Sequence, residues 1–302
     1  MRRLAIMLLS AFVALTGCTP VLFQPMERMV LTPDRLSLRY DDVFFESTDG
    51  VRLHGWYLHA GPGARGTVLF LHGNAQNIST HIASVFWLPR RGFNVFLFDY
   101  RGFGRSEGVA ATIADVHRDT AGALRALRRR DDVDPDRLVL FGQSLGASVA
   151  ISFASERPGV FNAVIAESAF DGYRHIAREK LAASWLTWAF QWPLSFLMSD
   201  AYRPLDAVAR LAPTPLLLVY DTGDTIVPPH HGVSLYRAAR EPKAFWCIPG
   251  RGHIQAVLEP WVRERLLDYL DAVLAAKGES PPPVTRGLVN APDCGFNTAV
   301  TP

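Results

Sequence analysis

Three cysteines in 302 residues, Cys18, Cys247 and Cys294, are too few for a disulfide-stapled scaffold and are not spaced to hold a metal ion. A large excess of charge of one sign is also missing, since 31 Lys and Arg stand against 29 Asp and Glu. The one dense basic run, residues 125–130 (RALRRR), closes a predicted helix, where it complements the helix C-terminus. With no basic stripe, nucleic acid is not an expected partner. No repeat period stands out, which argues against a solenoid or propeller. The apolar run at residues 4–15 is too short to span a bilayer. What remains is an ordinary globular composition, 49% hydrophobic and 20% charged, in a chain long enough for one large α/β domain.

The two ends read differently from the middle. Arg2 and Arg3 precede the short apolar run, and small residues and a cysteine follow it, the pattern of a secretory signal peptide over residues 1–17. Leu15-Thr16-Gly17-Cys18 resembles the bacterial lipobox. That resemblance implies cleavage before Cys18, acylation of its thiol and amine, and a protein held by lipid in the bacterial cell envelope. Thr19 stands where an aspartate commonly marks inner-membrane retention, which points to the outer membrane. Loss of Arg2 and Arg3 would lower the basic count from 31 to 29, equal to the 29 acidic residues. Residues 18–42 read as lipid anchor and tether, and residues 278–302, with five prolines, as a disordered tail.

Between them, residues 43–277 carry the pattern of a folded unit. Residues 43–47 and 51–58 flank Asp49-Gly50, a hairpin signal, and should form an antiparallel edge. The apolar runs 67–71, 94–98, 137–141, 163–166, 215–220 and 243–248 read as strands covered on both faces. Helical segments are expected at 79–91, from Thr112, at 145–156 and from Pro260 to about residue 276. Strands alternating with helices imply a mostly parallel, doubly wound sheet. Residues 170–211 break the alternation and hold Trp185, Trp188 and Trp192, so they read as a small helical lid over the carboxyl ends of the strands. Its aromatics suit packing onto the core, an apolar substrate group or a membrane surface.

The centre of the argument is Gly142-Gln143-Ser144-Leu145-Gly146, placed between a predicted strand and a predicted helix. Strand, G-x-S-x-G and helix make a nucleophile elbow, in which glycines flank a turn too tight for side chains at those positions. A serine hydroxyl is a weak nucleophile, so it needs a base, an acid to orient the base, and donors for the oxyanion. Among nine histidines, His253 follows the last strand in a glycine-rich loop, whereas His54, His59, His230 and His231 do not share that position. For the acid, Asp224 lies a short turn beyond its strand and can reach the imidazole, ahead of Glu167 and Asp221, which sit at strand ends. The oxyanion donors are the backbone N–H groups of Leu145 and of Asn74, with Gly73 allowing the turn and His72 read as structural.

These motifs resemble the α/β-hydrolase superfamily over about residues 43–276. They are HGN (72–74), DYRGFGRSEG (99–108), GQSLG (142–146), ESAF (167–170), GDTIVP (223–228) and GRGH (250–253), with serine, aspartate and histidine in the superfamily's order. The chain is most similar to the small-lid esterases, lipases and thioesterases that sit near the prolyl-oligopeptidase-like peptidases, although Ala147 replaces the usual second glycine after the serine. The resemblance implies hydrolysis of a small-molecule or lipid-like ester or thioester through an acyl-enzyme on Ser144, with no metal and no organic cofactor. A serine peptidase and a non-catalytic envelope binding protein remain the alternatives. Cys247 reads as a space-filling strand residue, with a disulfide to Cys294 left open.

Overall fold

Eight strands carry the core of the computed structural model, which describes residues 23–109, 112–250 and 252–275. They are β1 (Tyr40–Glu46), β2 (Arg52–Leu58), β3 (Gly66–Leu71), β4 (Phe93–Asp99), β5 (Leu138–Gln143), β6 (Ala163–Glu167), β7 (Leu216–Asp221) and β8 (Lys243–Ile248). Their order across the sheet is β8-β7-β6-β5-β3-β4-β2-β1. The first two form an antiparallel hairpin that pairs antiparallel with β4, and every other neighbour is parallel. Gly50 turns that hairpin at φ 86°, a backbone angle that costs glycine little. Along β3 to β7 every residue is buried, as uninterrupted apolar strands require when helices cover both faces.

Alternation along each strand sorts the core into two layers. Leu69 and Leu71 of β3 face one layer, Val68 and Phe70 the other. The first is closed by α2 (Ile113–Leu127) and α3 (Leu145–Ser155), the second by α8 (Pro260–Ala275). Thr112 starts α2 with a reciprocal capping box, its Oγ1 accepting from the Asp115 N–H and its own N–H donating to Asp115 Oδ2 at 2.8 Å. The helix expected over 79–91 is instead α1 (Ile78–His81) followed by 3-10 turns at Ile82–Ser84 and Pro89–Arg91. Pro89 has no N–H to give, so an α-helical ladder cannot run through it.

One further segment departs from the reading of the sequence, and the lid bears on an alternative that the reading left open. Residues 23–39 lie against the fold: Phe23 is buried against Phe103, Gln24–Pro25 pairs with Ala75–Gln76, and Asn77 Nδ2 donates to Met26 O and Arg28 O. Burying Phe23 and Leu38 favours packing over free tethering. The lid comprises α4 (Tyr173–Ala182), a 3-10 turn (Trp188–Phe190), α5 (Gln191–Ser195) and α6 (Pro204–Ala207). Its tryptophans face outward, Trp185 at 87% exposure and Trp188 at 62%, so packing onto the core does not account for them. Among the described residues no helix is long and apolar enough to cross a membrane. The signal peptide, Cys18, Cys294 and the proline-rich tail lie outside the described residues. Cys247, buried on the edge strand β8, is disulfide-bonded, so its sulfur is held covalently and the space-filling reading is corrected.

Candidate active site

A sharp turn joins β5 to α3, and Ser144 occupies it at φ 53°, ψ −114°. Such a conformation costs a non-glycine residue roughly 1–3 kcal/mol and persists only where the surroundings impose it. They do so here on both sides. A Cβ on Gly142 would collide with the carbonyl oxygen of Gly146, and one on Gly146 with that of Leu71. Backbone bonds then pin the serine, its N–H donating to Glu167 O at 2.8 Å and its carbonyl accepting from the Ser148 N–H at 3.1 Å. The hydroxyl is left at the carboxyl edge of the sheet, ahead of the N-terminus of α3, where developing negative charge is favoured.

The predicted acid and base meet. His253 Nδ1 lies 2.8 Å from Asp224 Oδ2, while Asp224 Oδ1 accepts from the N–H groups of Ile226 at 2.9 Å and Val227 at 2.8 Å. Burial opposes ionisation of Asp224, but the bond from His253 and these backbone donors outweigh it and hold the carboxyl below its usual range. An ionised acceptor at Nδ1 keeps the proton on that nitrogen and leaves Nε2 with a lone pair. The loop that presents the imidazole is tightly bent, with Gly252 at φ 104° and Ile254 at φ 51°. Among the described residues no hydrogen bond joins His253 to Ser144, a link that in free enzymes is often loose and tightens with substrate.

Both rival acids are occupied elsewhere. Asp221 Oδ1 accepts from the Gly223 N–H at 2.7 Å and so shapes the turn that carries Asp224. Glu167 accepts from the Ala256 N–H at 2.9 Å through Oε1 and from Gln143 Nε2 at 2.6 Å through Oε2, and burial pushes its pKa up to about 7. It therefore braces the nucleophile strand against the base loop, a role its position at a strand end does not reveal in sequence. Of the other histidines, His54 bonds Asp42 and His59 pairs with Asp41 on the hairpin edge, away from the serine.

The loop after β3 passes beside the nucleophile: a Cβ on Gly73 would sit 3.6 Å from Ser144 Cβ. Among the described residues neither the Leu145 nor the Asn74 N–H donates to another backbone group, which leaves both free for an oxyanion. His72 is buried with Nδ1 2.7 Å from Gly73 O, and burial drives its pKa far down, so a neutral ring props the loop. His81, unremarked in the sequence, also lies beside Gly73, with its Nε2 3.0 Å from Ala75 O. The neighbouring loop at 99–108 is held by Arg101, which donates to Asp119 at 2.6 Å and to Asp49 at 2.7 Å.

A parallel sheet with a strained serine after its fifth strand, and an aspartate–histidine pair on the loops after its seventh and eighth, defines an α/β-hydrolase. The chain belongs to that family. The model of the family described as serine aminopeptidase, S33, matches residues 62–206. The uncharacterized protein YfhR of Escherichia coli (strain K12) is 37% identical over 243 residues, covering 78% of this chain and 81% of that one. The α/β-hydrolase domain-containing protein WAV2 of Arabidopsis thaliana is 34% identical over 247 residues, covering 78% and 79%. Among solved structures, the Pyrococcus furiosus esterase Pf2001 superposes with a TM-score of 0.68 at 25% identity, covering 84% of this chain and 97% of that one.

Proposed function

We propose that this hydrolase cleaves carboxylic ester or thioester bonds through an acyl-enzyme on Ser144. The observation that carries the reading is the strained Ser144 at the edge of the sheet that also bears the bonded Asp224–His253 pair. His253 Nε2 takes the hydroxyl proton as Oγ attacks the carbonyl carbon, and the Leu145 and Asn74 N–H groups receive the oxyanion. The proton passes to the leaving alcohol or thiol as the acyl–oxygen or acyl–sulfur bond breaks. Water then attacks the acyl-enzyme, again giving its proton to His253, and the acid departs with Ser144 restored. A similar fold in a P. furiosus esterase supports this chemistry.

The remainder of the reading concerns place and substrate. Acylated Cys18 would hold the enzyme to the bacterial envelope, by preference the outer membrane, and the outward Trp185, Trp188 and Trp192 of the lid suit a lipid-like ester at that surface. A second reading, a serine peptidase, is favoured by the description of the matching family model. Treating the purified chain and its Ser144→Ala variant with a fluorophosphonate, then locating the adduct by peptide mass, tests the activated serine. An adduct on Ser144 that the variant lacks supports a serine enzyme, and no adduct on folded protein supports a non-catalytic binding role. Short-chain nitrophenyl esters set against aminoacyl and prolyl anilides separate esterase from peptidase.

A further inference from the structure

Away from the serine, the base of the lid gathers five ionisable side chains that the hydrolytic steps do not use. Asp171, His175 and Glu179 recur every four residues into and along α4, so they share one helix face. Against that face α7 (His230–Ala238) sets His230 and His231. Asp171 Oδ1 lies 2.7 Å from His175 Nδ1 and 2.9 Å from His231 Nδ1. Glu179 takes the far nitrogens of the same two rings, Oε1 at 3.0 Å from His175 Nε2 and Oε2 at 3.1 Å from His231 Nε2. His230 Nε2 approaches Glu179 Oε1 at 2.8 Å from the outside.

A neutral imidazole has one N–H to give. At 2.7 and 2.9 Å the two rings hydrogen-bond the Asp171 carboxylate; an ion that displaced the protons of these contacts would leave each Nε2–H on Glu179 and meet three converging electron-pair donors, both Nδ1 atoms and Asp171 Oδ1. Their ligand atoms all fall within 4.8 Å of one another, and His231 and Asp171 are buried. Tetrahedral ligands at zinc bond lengths of about 2.0–2.1 Å stand about 3.4 Å apart, so a small outward relaxation would seat an ion. Carboxylate-supported imidazoles are the usual outer shell of such sites.

We propose that Asp171, His175 and His231 form a binding site for a divalent transition ion of the zinc type, with Glu179 fixing the tautomers of both histidines. Two imidazole nitrogens and one carboxylate oxygen suit zinc and its neighbours better than magnesium or calcium. A cavity of about 400 Å³ beside Asp171 and His175, lined also by Asp200 and by Arg174, Arg178 and Arg203, leaves room for water as a fourth ligand. The more exposed set His175, Glu179 and His230 also falls within reach of one ion. The buried set is assigned because its rings have the second carboxylate behind them. An ion there would clamp α4 to α7 next to the loop of Asp224, which Lys180 already touches by donating to Thr225 O at 2.9 Å.

The test uses untagged protein stripped with a chelator and titrated with Zn²⁺ by calorimetry and with Co²⁺ by visible absorption. One equivalent should bind, and the Ser144→Ala variant should bind it equally, which separates this site from the hydrolytic reading. His175→Ala, at a partly exposed position, should lose the ion while keeping the parent circular dichroism spectrum. Glu179→Gln should weaken binding by about tenfold or more, and His230→Ala should leave it unchanged. Failure of the parent protein to take up either metal would overturn the proposal, as would full-strength binding by His175→Ala. Loss of binding in His230→Ala would overturn the assignment of ligands.

Discussion

Replacing Asp224 by asparagine tests how the pair with His253 works, because two accounts of that contact give different magnitudes. In the parent, Asp224 Oδ2 receives His253 Nδ1–H while Oδ1 receives two backbone N–H groups. Asparagine can keep the backbone bonds with its one oxygen, and its amide nitrogen must then face Nδ1. The amide N–H donates, so His253 Nδ1 becomes the acceptor, the proton moves to Nε2, and the ring can no longer take a proton from Ser144. If the contact only contributed a charge-assisted hydrogen bond of about 1.5–3 kcal/mol, the rate would fall by roughly 10- to 200-fold. A trapped tautomer predicts a loss in kcat of about 10⁴, or roughly 5 kcal/mol, as measured for a serine protease triad. The assay is steady-state hydrolysis of a short-chain nitrophenyl ester by parent and Asp224→Asn, with circular dichroism to confirm matched folding. A loss below about tenfold would refute the assignment of Asp224 as the orienting acid.

Other outcomes follow from the same geometry. Ser144→Gly should abolish hydrolysis yet raise stability by about 1 kcal/mol in urea denaturation, since glycine tolerates φ 53° that serine holds under strain. Glu167 has a folded pKa raised from 4.5 to about 7, so the native state binds the proton more tightly. Its contribution to stability is fully present below about 4.5 and is lost as pH rises through about 7. Glu167→Gln should remove that slope, and unfolding curves at pH 5 and 8 measure it. Trp185→Ser and Trp188→Ser should change stability by less than about 0.5 kcal/mol, because both rings are exposed, while lowering binding of the protein to lipid vesicles in flotation assays.

Much of the fold is legible because strand runs are long, apolar and separated by helix-like segments, and because Asp49-Gly50 marks the only strong hairpin signal near the start. The elbow is equally legible, since Gly142 and Gly146 answer to collisions that no other residue avoids. What escaped the sequence depends on contacts between distant residues. Glu167 reads as a spare acid until Gln143 and Ala256 are seen to occupy it. His81 has no local signature, and Phe23 looks like part of a tether until Phe103 is placed beside it. The spacing of Asp171, His175 and Glu179 is visible along the chain, but the histidine pair that completes the cluster arrives from a helix more than fifty residues on.

Glu167 has a consequence for how such an enzyme can change. Its carbonyl holds the Ser144 N–H and its carboxyl holds the backbone three residues after His253. One buried residue thus ties the turn of Ser144 to the loop of His253 from beneath. The lid above can be rewritten, lengthened or made more apolar without loosening that tie, so substrate range and catalytic spacing can drift independently.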